Sequence, residues 1–409
     1  MIALTFCVAT QTLTLEQSFS SFSSGVVWLI LLAFFLALGF KRTGLGTRIA
    51  YSFISLLGRN ALGLSYGFVA TEFFLAPLVP SNTARGAGII FPVASALAQE
   101  QGGHSKAGRS VGAFLMQVCF QANMITSAMF LTGLVGNPLI ASLAGVADVK
   151  IDWFTWALAA LVPGVMNLLI MPLALHHLYP PQMTNPQEAR QKAQQKLKEL
   201  GPLTLHEKLM VTIFAGIMVL WVVGERYGIS PTAAALIGFS LLLFFGIVKW
   251  KDCIHETTAW ETLIWFAPLL MMATFLTKFG VMGWFTDRMS THVGTLSWPI
   301  AFALLSLVYF YTHYLFASVT ARITALYSAF LLVMVAVGTP PMLAAMTLAV
   351  FSSLAGTLTH FGTGTAPVYF GAGYMSVPEW WQCSFKMSLV NLATWILFAG
   401  IWWKILGYW

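Results

Sequence analysis

Two five-residue stretches of this chain carry residue types that can do chemistry: Ser81-Asn82-Thr83-Ala84-Arg85 and Ser318-Val319-Thr320-Ala321-Arg322. Each sets two hydroxyls beside an arginine that stands four residues after the leading serine. Hydroxyls donate to anionic oxygens, and a guanidinium can grip a carboxylate with two parallel hydrogen bonds. Each stretch follows an apolar segment rich in Phe, Leu and Ala and precedes a short apolar piece. Each is trailed by a Gly- and Thr-rich interruption of an apolar run, over 132–138 (TGLVGNP) and over 357–367 (TLTHFGTGTAP). A motif and its downstream break, occurring twice, is an internal repeat. A helix that stops at such a break leaves free N–H groups and a positive dipole end, which suit an anion. Glycine lets the backbone come close to the ligand. The chemistry on offer is the binding of a small anion.

The elements that must position these residues follow from composition. Of 409 residues, 58% are hydrophobic and 9% charged, against roughly 45–50% and about 25% in soluble domains. That excludes a soluble enzyme, a secreted disulfide scaffold, a disordered chain and a nucleic-acid binder. The chain reads as an all-α polytopic membrane protein whose surroundings are the lipid bilayer. Apolar runs suited to spanning helices lie at 25–40, 62–80, 111–135, 153–175, 209–225, 232–248, 259–277, 298–317 and 386–403. Shorter or broken pieces lie at 1–12, 86–98, 321–338 and 341–372. Non-helical backbone at membrane depth survives only where protein buries it or water bathes it. Paired interruptions at corresponding places in two halves point to the binding site of a secondary transporter.

The segment 181–208 is the longest polar stretch, punctuated by Pro181, Pro186 and Pro202 and made basic by Arg190, Lys192, Lys196 and Lys198. It reads as a cytoplasmic linker between a first half, 1–180, and a second half, 209–409. Lys41, Arg42, Arg48 and Arg59 fall on the same side, and 43–58 reads as an amphipathic helix at the interface. The net charge of +7 therefore orients the chain in the membrane. Cys7, Cys119, Cys253 and Cys383 form no paired motif and read as small apolar residues. Met1 opens into an apolar stretch with no basic leader, so no signal peptide is expected.

Other chemistries leave no trace. His206-Glu207 and His255-Glu256 lack the second histidine of a zinc-protease helix, no Gly-Asp pair occurs, and no phosphate-binding loop is present. An enzyme, an ATP-driven pump and a metal centre are not indicated. A channel would need a repeated charged ring or filter, which is absent.

At these motifs the chain resembles the divalent anion/sodium symporters. Within them it is most similar to the branch of bacterial citrate/succinate and tartrate/succinate antiporters and plastid 2-oxoglutarate/malate translocators. The matching residues are PSNTAR at 80–85, HYLFASVTA at 313–321, LTHFGTGTAPVYFGAGY at 358–374 and the Trp-rich end, and the likeness covers essentially the whole chain. The resemblance implies two inverted repeats. Each would carry a re-entrant helical hairpin, about 76–100 and about 314–338, and a discontinuous transmembrane helix. Ser81, Asn82 and Thr83 would form one tip, and Ser318, Val319 and Thr320 the other. Gly136 and Asn137, with Gly362, Thr363, Gly364 and Thr365, would complete a pocket for di- or tricarboxylates of the citrate, succinate, tartrate, malate or 2-oxoglutarate class. It also implies an elevator mechanism, a homodimer and a place in the bacterial inner membrane.

Two departures bear on coupling. Sodium-coupled members repeat Ser-Asn-Thr in the second half, where this chain has Val319, which offers no oxygen to a hard cation. Pro77, four residues before Ser81, offers none either. A sodium site near Asn82 and Gly136 is thus not favoured, no cofactor is expected, and exchange of anions is preferred over sodium symport. Arg85, Arg322 and His313 would supply the positive charge that sodium supplies elsewhere. His313 and His360 have a second reading as structural donors to backbone carbonyls, and Glu72 as a partner in a structural ion pair. The family also carries further helices before the point matching Met1, so 1–12 reads as the end of a span.

Overall fold

Hydrogen-bonding side chains mark the starts of several of the helices. Asn60 accepts from Gly63 N (2.7 Å), Asp152 from Thr155 N (2.6 Å) and Ser230 from Ala233 N (3.2 Å). Thr204 and Glu207 form a reciprocal capping box. Each such cap satisfies an amide that the helix itself cannot. A computed structural model describes residues 1–79, 81–100, 111–181, 186–281, 283–284, 287–288 and 297–409. Pro80, at the head of the first motif, and residues 182–185 of the linker lie outside the described residues.

The described residues are helical, without strands. Short α1 (Ile2–Ala9) and α2 (Leu15–Phe19) precede α3 (Gly25–Thr43), α4 (Leu45–Leu57) and α5 (Ala61–Leu75). The chain turns and resumes as α6 (Asn82–Arg85), a π-helical turn at Gly86–Ile90 and α7 (Phe91–Glu100). Next come α8 (Val111–Met129), α9 (Gly136–Ala144), α10 (Trp153–Leu178) and the linker helix α11 (Pro186–Leu200). The second half holds α12 (Leu205–Val223), α13 (Pro231–Phe244), α14 (Trp250–His255) and α15 (Thr257–Lys278). It closes with α16 (Trp298–Tyr311), α17 (Val319–Ala336), α18 (Pro341–Leu354), α19 (Ala366–Gly371) and α20 (Val377–Ile405). Eight of the described helical segments are long and apolar enough to cross a bilayer. The run expected over 62–80 stops at Leu75, and that over 111–135 stops at Met129, in both cases where the polar motif or break takes over.

Two groups of helices surround the site. In one, α3, α12, α13 and α15 pack on one another. In the other, α8 lies at the centre, every residue of it buried, wrapped by α5, α7, α10 and α18. Polar side chains lock that second group. Asn167 Nδ2 donates to Asn391 Oδ1 (2.9 Å), Asn391 Nδ2 to Gln121 Oε1 (3.1 Å) and Trp395 Nε1 to Asn167 Oδ1 (3.0 Å), tying α10, α20 and α8. Polar networks of this kind favour one packing arrangement, since breaking a hydrogen bond in an apolar interior is costly.

The linker is held rather than loose. Arg48 on α4 pairs with Glu207 (2.6 Å) and donates to the carbonyls of Gly201 (2.7 Å) and Leu200 (3.1 Å). Arg190 Nε donates to Ser55 O (2.9 Å). The helix over 45–57 therefore packs against both α5 and the linker helix.

Candidate functional site

The first tip forms because Ser81 halts the extended backbone and starts a helix. Its hydroxyl accepts from Ala84 N (3.2 Å), and Arg85 N returns to Ser81 O (2.9 Å). Ser318 does the same in the second half, accepting from Ala321 N (3.4 Å) while Arg322 N bonds Ser318 O (3.1 Å). The first-turn amides of both helices have no intrahelical acceptor. These tips meet. Ser81, Asn82, Thr83, Ser318, Val319, Thr320, Thr363 and Gly364 line one cavity of about 260 Å³. Two helix N-termini, with their hydroxyls, thus face one hollow, a constellation suited to an anion with two charged ends. A volume just under the ~300–1,000 Å³ of most ligand pockets fits a small ligand.

The second break contributes through Thr363 and Gly364. Thr363 Oγ1 accepts from Thr365 N (3.2 Å) and lies 2.8 Å from Thr365 Oγ1, which holds the unwound loop in a tight turn. A β-carbon on Gly364 would stand 2.5 Å from Thr83 Oγ1, so the loop needs glycine to approach the opposite tip. Gly136, Asn137 and Thr365 do not line the cavity. Asn137 is fully buried and donates to the carbonyls of Ser127 (2.7 Å), in the last turn of α8, and Phe130 (2.9 Å), just beyond it. A β-carbon on Gly136 would meet Ile323 Cδ1 at 2.6 Å, so Gly136 lets the first break pack on the second hairpin. Thr365 Oγ1 reaches Asn123 Oδ1 at 3.4 Å, joining the network below the first tip.

The two arginines differ sharply. Arg85 is fully buried and pairs with Glu72, Nε to Oε2 at 2.5 Å. It also donates to Val79 O (2.8 Å) and Ser127 Oγ (3.0 Å). Asn123 Nδ2 holds the other Glu72 oxygen (2.9 Å) and Asn82 O (3.1 Å). Arg85 is thus turned away from the cavity and its charge is balanced inside the protein. Arg322 is equally buried, but among the described residues it makes no ion pair. Its guanidinium donates to the carbonyls of Tyr309 (2.8 Å), Phe310 (3.3 Å), Phe351 (3.2 Å) and Ser352 (2.8 Å) and sits 4.7 Å from the Tyr309 ring centroid. Carbonyl dipoles and a π face solvate the cation without cancelling its charge. His313 is buried beside Gly362, and among the described residues neither ring nitrogen finds a hydrogen-bond partner. His360 accepts from Trp381 Nε1 (3.0 Å) and stays outside the cavity.

The rest of the wall was not singled out from sequence: Phe34 on α3, Leu134 and Val135 of the first break, and Thr258, Glu261, Thr262 and Trp265 on α15. The α15 residues recur at helical spacing, which sets them on one face. An adjoining cavity of about 200 Å³ shares Phe34, Ser81, Thr83 and Thr258 and extends to Lys41 and Glu256. The two cavities thus adjoin through Phe34, Ser81, Thr83 and Thr258.

Comparison with known proteins places this geometry. The family described as sodium:sulfate symporter transmembrane region matches residues 1–409. The chain is 47% identical to the putative malate transporter YflS of Bacillus subtilis, covering 100% of this chain and 86% of that one. It is 45% identical to the chloroplastic dicarboxylate transporter 1 of Spinacia oleracea, over 100% of this chain and 73% of that one. With the citrate/succinate antiporter of Escherichia coli the identity is 34%, over 98% and 82%. The crystal structure of the Alcanivorax borkumensis YdaH transporter superposes with a TM-score of 0.60 at 14% identity, over 97% of this chain and 89% of that one, a likeness of fold. This chain is a multi-pass membrane transporter, not an enzyme, and belongs to the sodium:sulfate symporter transmembrane family, the divalent anion/sodium symporters.

Proposed function

We propose that this protein exchanges small di- and tricarboxylate anions across the membrane, holding each between the Ser81–Thr83 and Ser318–Thr320 tips. The observation that carries the reading is the shared cavity lined by both tips and by Thr363 and Gly364. The named activities of its relatives, malate, dicarboxylate and citrate/succinate transport, agree with a ligand of that class. Sodium is not required in this reading. Val319 puts a hydrocarbon where a hard cation wants oxygen, and Arg322 contributes a fixed positive charge that no described acid cancels. A fixed cation favours exchange over one-way transport. With the cavity empty, the buried charge must cross the bilayer uncompensated, and a charge at membrane depth costs at least ~2.5–3.5 kcal/mol.

Movement follows an elevator scheme, the α8-centred group of helices sliding against α3, α12, α13 and α15, with the two halves acting as inverted repeats. The 33% identity to the inner membrane protein YbhI of Escherichia coli supports a place in an inner membrane, and a homodimer formed through the stationary helices suits this scheme. The test is uptake of labelled succinate into vesicles containing the protein. Succinate-loaded vesicles should accumulate label in sodium-free buffer, and empty vesicles should not. Uptake into empty vesicles that rises with sodium would select sodium symport instead. No uptake of any four- to six-carbon carboxylate would remove both.

A further inference from the structure

One wall of the cavity is acidic. Glu261 is the single ionisable side chain among the described residues that line it, and it stands on α15, which shares the cavity with the two tips. Thr258, Glu261, Thr262 and Trp265 share a helix face, and Thr262 Oγ1 spends its proton on Thr258 O (2.7 Å). Glu261 is solvent-exposed, and among the described residues no basic group pairs with it. The cavity therefore combines two helix N-termini and several hydroxyls with one carboxylate.

We propose that Glu261 is a specificity-determining residue that favours dianionic dicarboxylates over trianionic tricarboxylates. The proposal rests on the exchange reading given above and narrows its substrate class. A dicarboxylate satisfies both ends against the Ser81–Thr83 and Ser318–Thr320 tips. A third ionised carboxylate in a cavity of about 260 Å³ has no tip left and shares that small volume with the Glu261 carboxylate, whose like charge opposes it.

The test uses the full chain in succinate-loaded, sodium-free vesicles under mildly alkaline conditions, where citrate is a trianion. Labelled succinate uptake is inhibited by unlabelled malate or citrate. Wild-type protein should be inhibited far more weakly by citrate than by malate. Glu261→Gln should lower the inhibitory citrate concentration about tenfold relative to malate, the scale of removing one partly solvated like-charge contact. Glu261→Ser should act likewise, Glu261→Asp should keep the wild-type ratio, and Glu256→Gln, in the adjoining cavity, should leave it unmoved. Equal inhibition of the wild type by both anions overturns the proposal, as does a citrate-to-malate ratio unaltered in both neutral variants. Vigorous dicarboxylate exchange with an unmoved ratio leaves the exchange reading intact, whereas no exchange at all by folded wild-type protein overturns both.

Discussion

Thr83 and Gly364 touch across the two halves of the chain: the Thr83 hydroxyl lies 2.5 Å from where a β-carbon on Gly364 would stand. The first tip and the second break thus form one floor of the cavity, although 281 positions separate them in the sequence.

Replacing Gly364 by Ala should push the Thr83 hydroxyl out of place while leaving the helices intact. A hydrogen bond from a hydroxyl to a carboxylate is worth ~1.5–3 kcal/mol, so the succinate KM for exchange should rise about tenfold or more. Unfolding temperature in detergent should stay close to that of the wild type. Uptake kinetics and a thermal melt on the same preparation check both statements.

The Arg85–Glu72 pair predicts a stability effect. Removing one partner of a buried ion pair strands a charge and costs about 3–5 kcal/mol. Arg85→Gln and Glu72→Gln should each lower the melting temperature and the yield of monodisperse protein. The double variant Glu72→Gln/Arg85→Gln should recover part of that loss, a coupling measurable by a double-mutant cycle. Single variants as stable as the wild type would deny the pair its structural role.

Arg322 predicts the opposite pattern of function and charge. Arg322→Gln removes the uncancelled cation, so exchange should fall to background in protein that still elutes as a single species. Arg322→Lys keeps the charge but not the fork of donors to Tyr309, Phe310, Phe351 and Ser352, and should retain part of the activity. Full exchange by Arg322→Gln would eliminate the charge-supplying role.

Asn137→Ala should destabilise without touching the cavity wall. It removes the side-chain donor to the Ser127 carbonyl where α8 ends, while the Phe130 carbonyl keeps Gly133 N (2.8 Å), and an unsatisfied buried acceptor costs ~1–3 kcal/mol. A lower melting temperature with an unchanged succinate KM is the expected pair of results.

Much of this was legible in the chain because helices and their interruptions follow local rules. Apolar length marked the spans, and the echo of Ser81–Arg85 in Ser318–Arg322 marked the tips that line the cavity. The partners of each arginine could not be read, because the motif repeats the arginine but not its surroundings. Glu72 lies 13 residues before Arg85, whereas Arg322 faces carbonyls from two other helices. The α15 wall was hidden for a related reason. Thr258, Glu261 and Trp265 carry ordinary helical spacing, and only the packing of α15 against the tips turns that face into a binding surface. Gly136 and Asn137 belong to a real break, but the break uses them to satisfy and pack its own backbone, leaving Leu134 and Val135 to line the hollow.

In the proposed exchange cycle one small anion occupies a cavity shared by both halves. Cysteines introduced singly at Val135, on the first break, and at Ser318, on the second tip, can be labelled with a membrane-permeant thiol reagent in sodium-free vesicles. Succinate should slow labelling at both positions over the same concentration range. Protection at neither position, or at one alone, would contradict a single site between the tips.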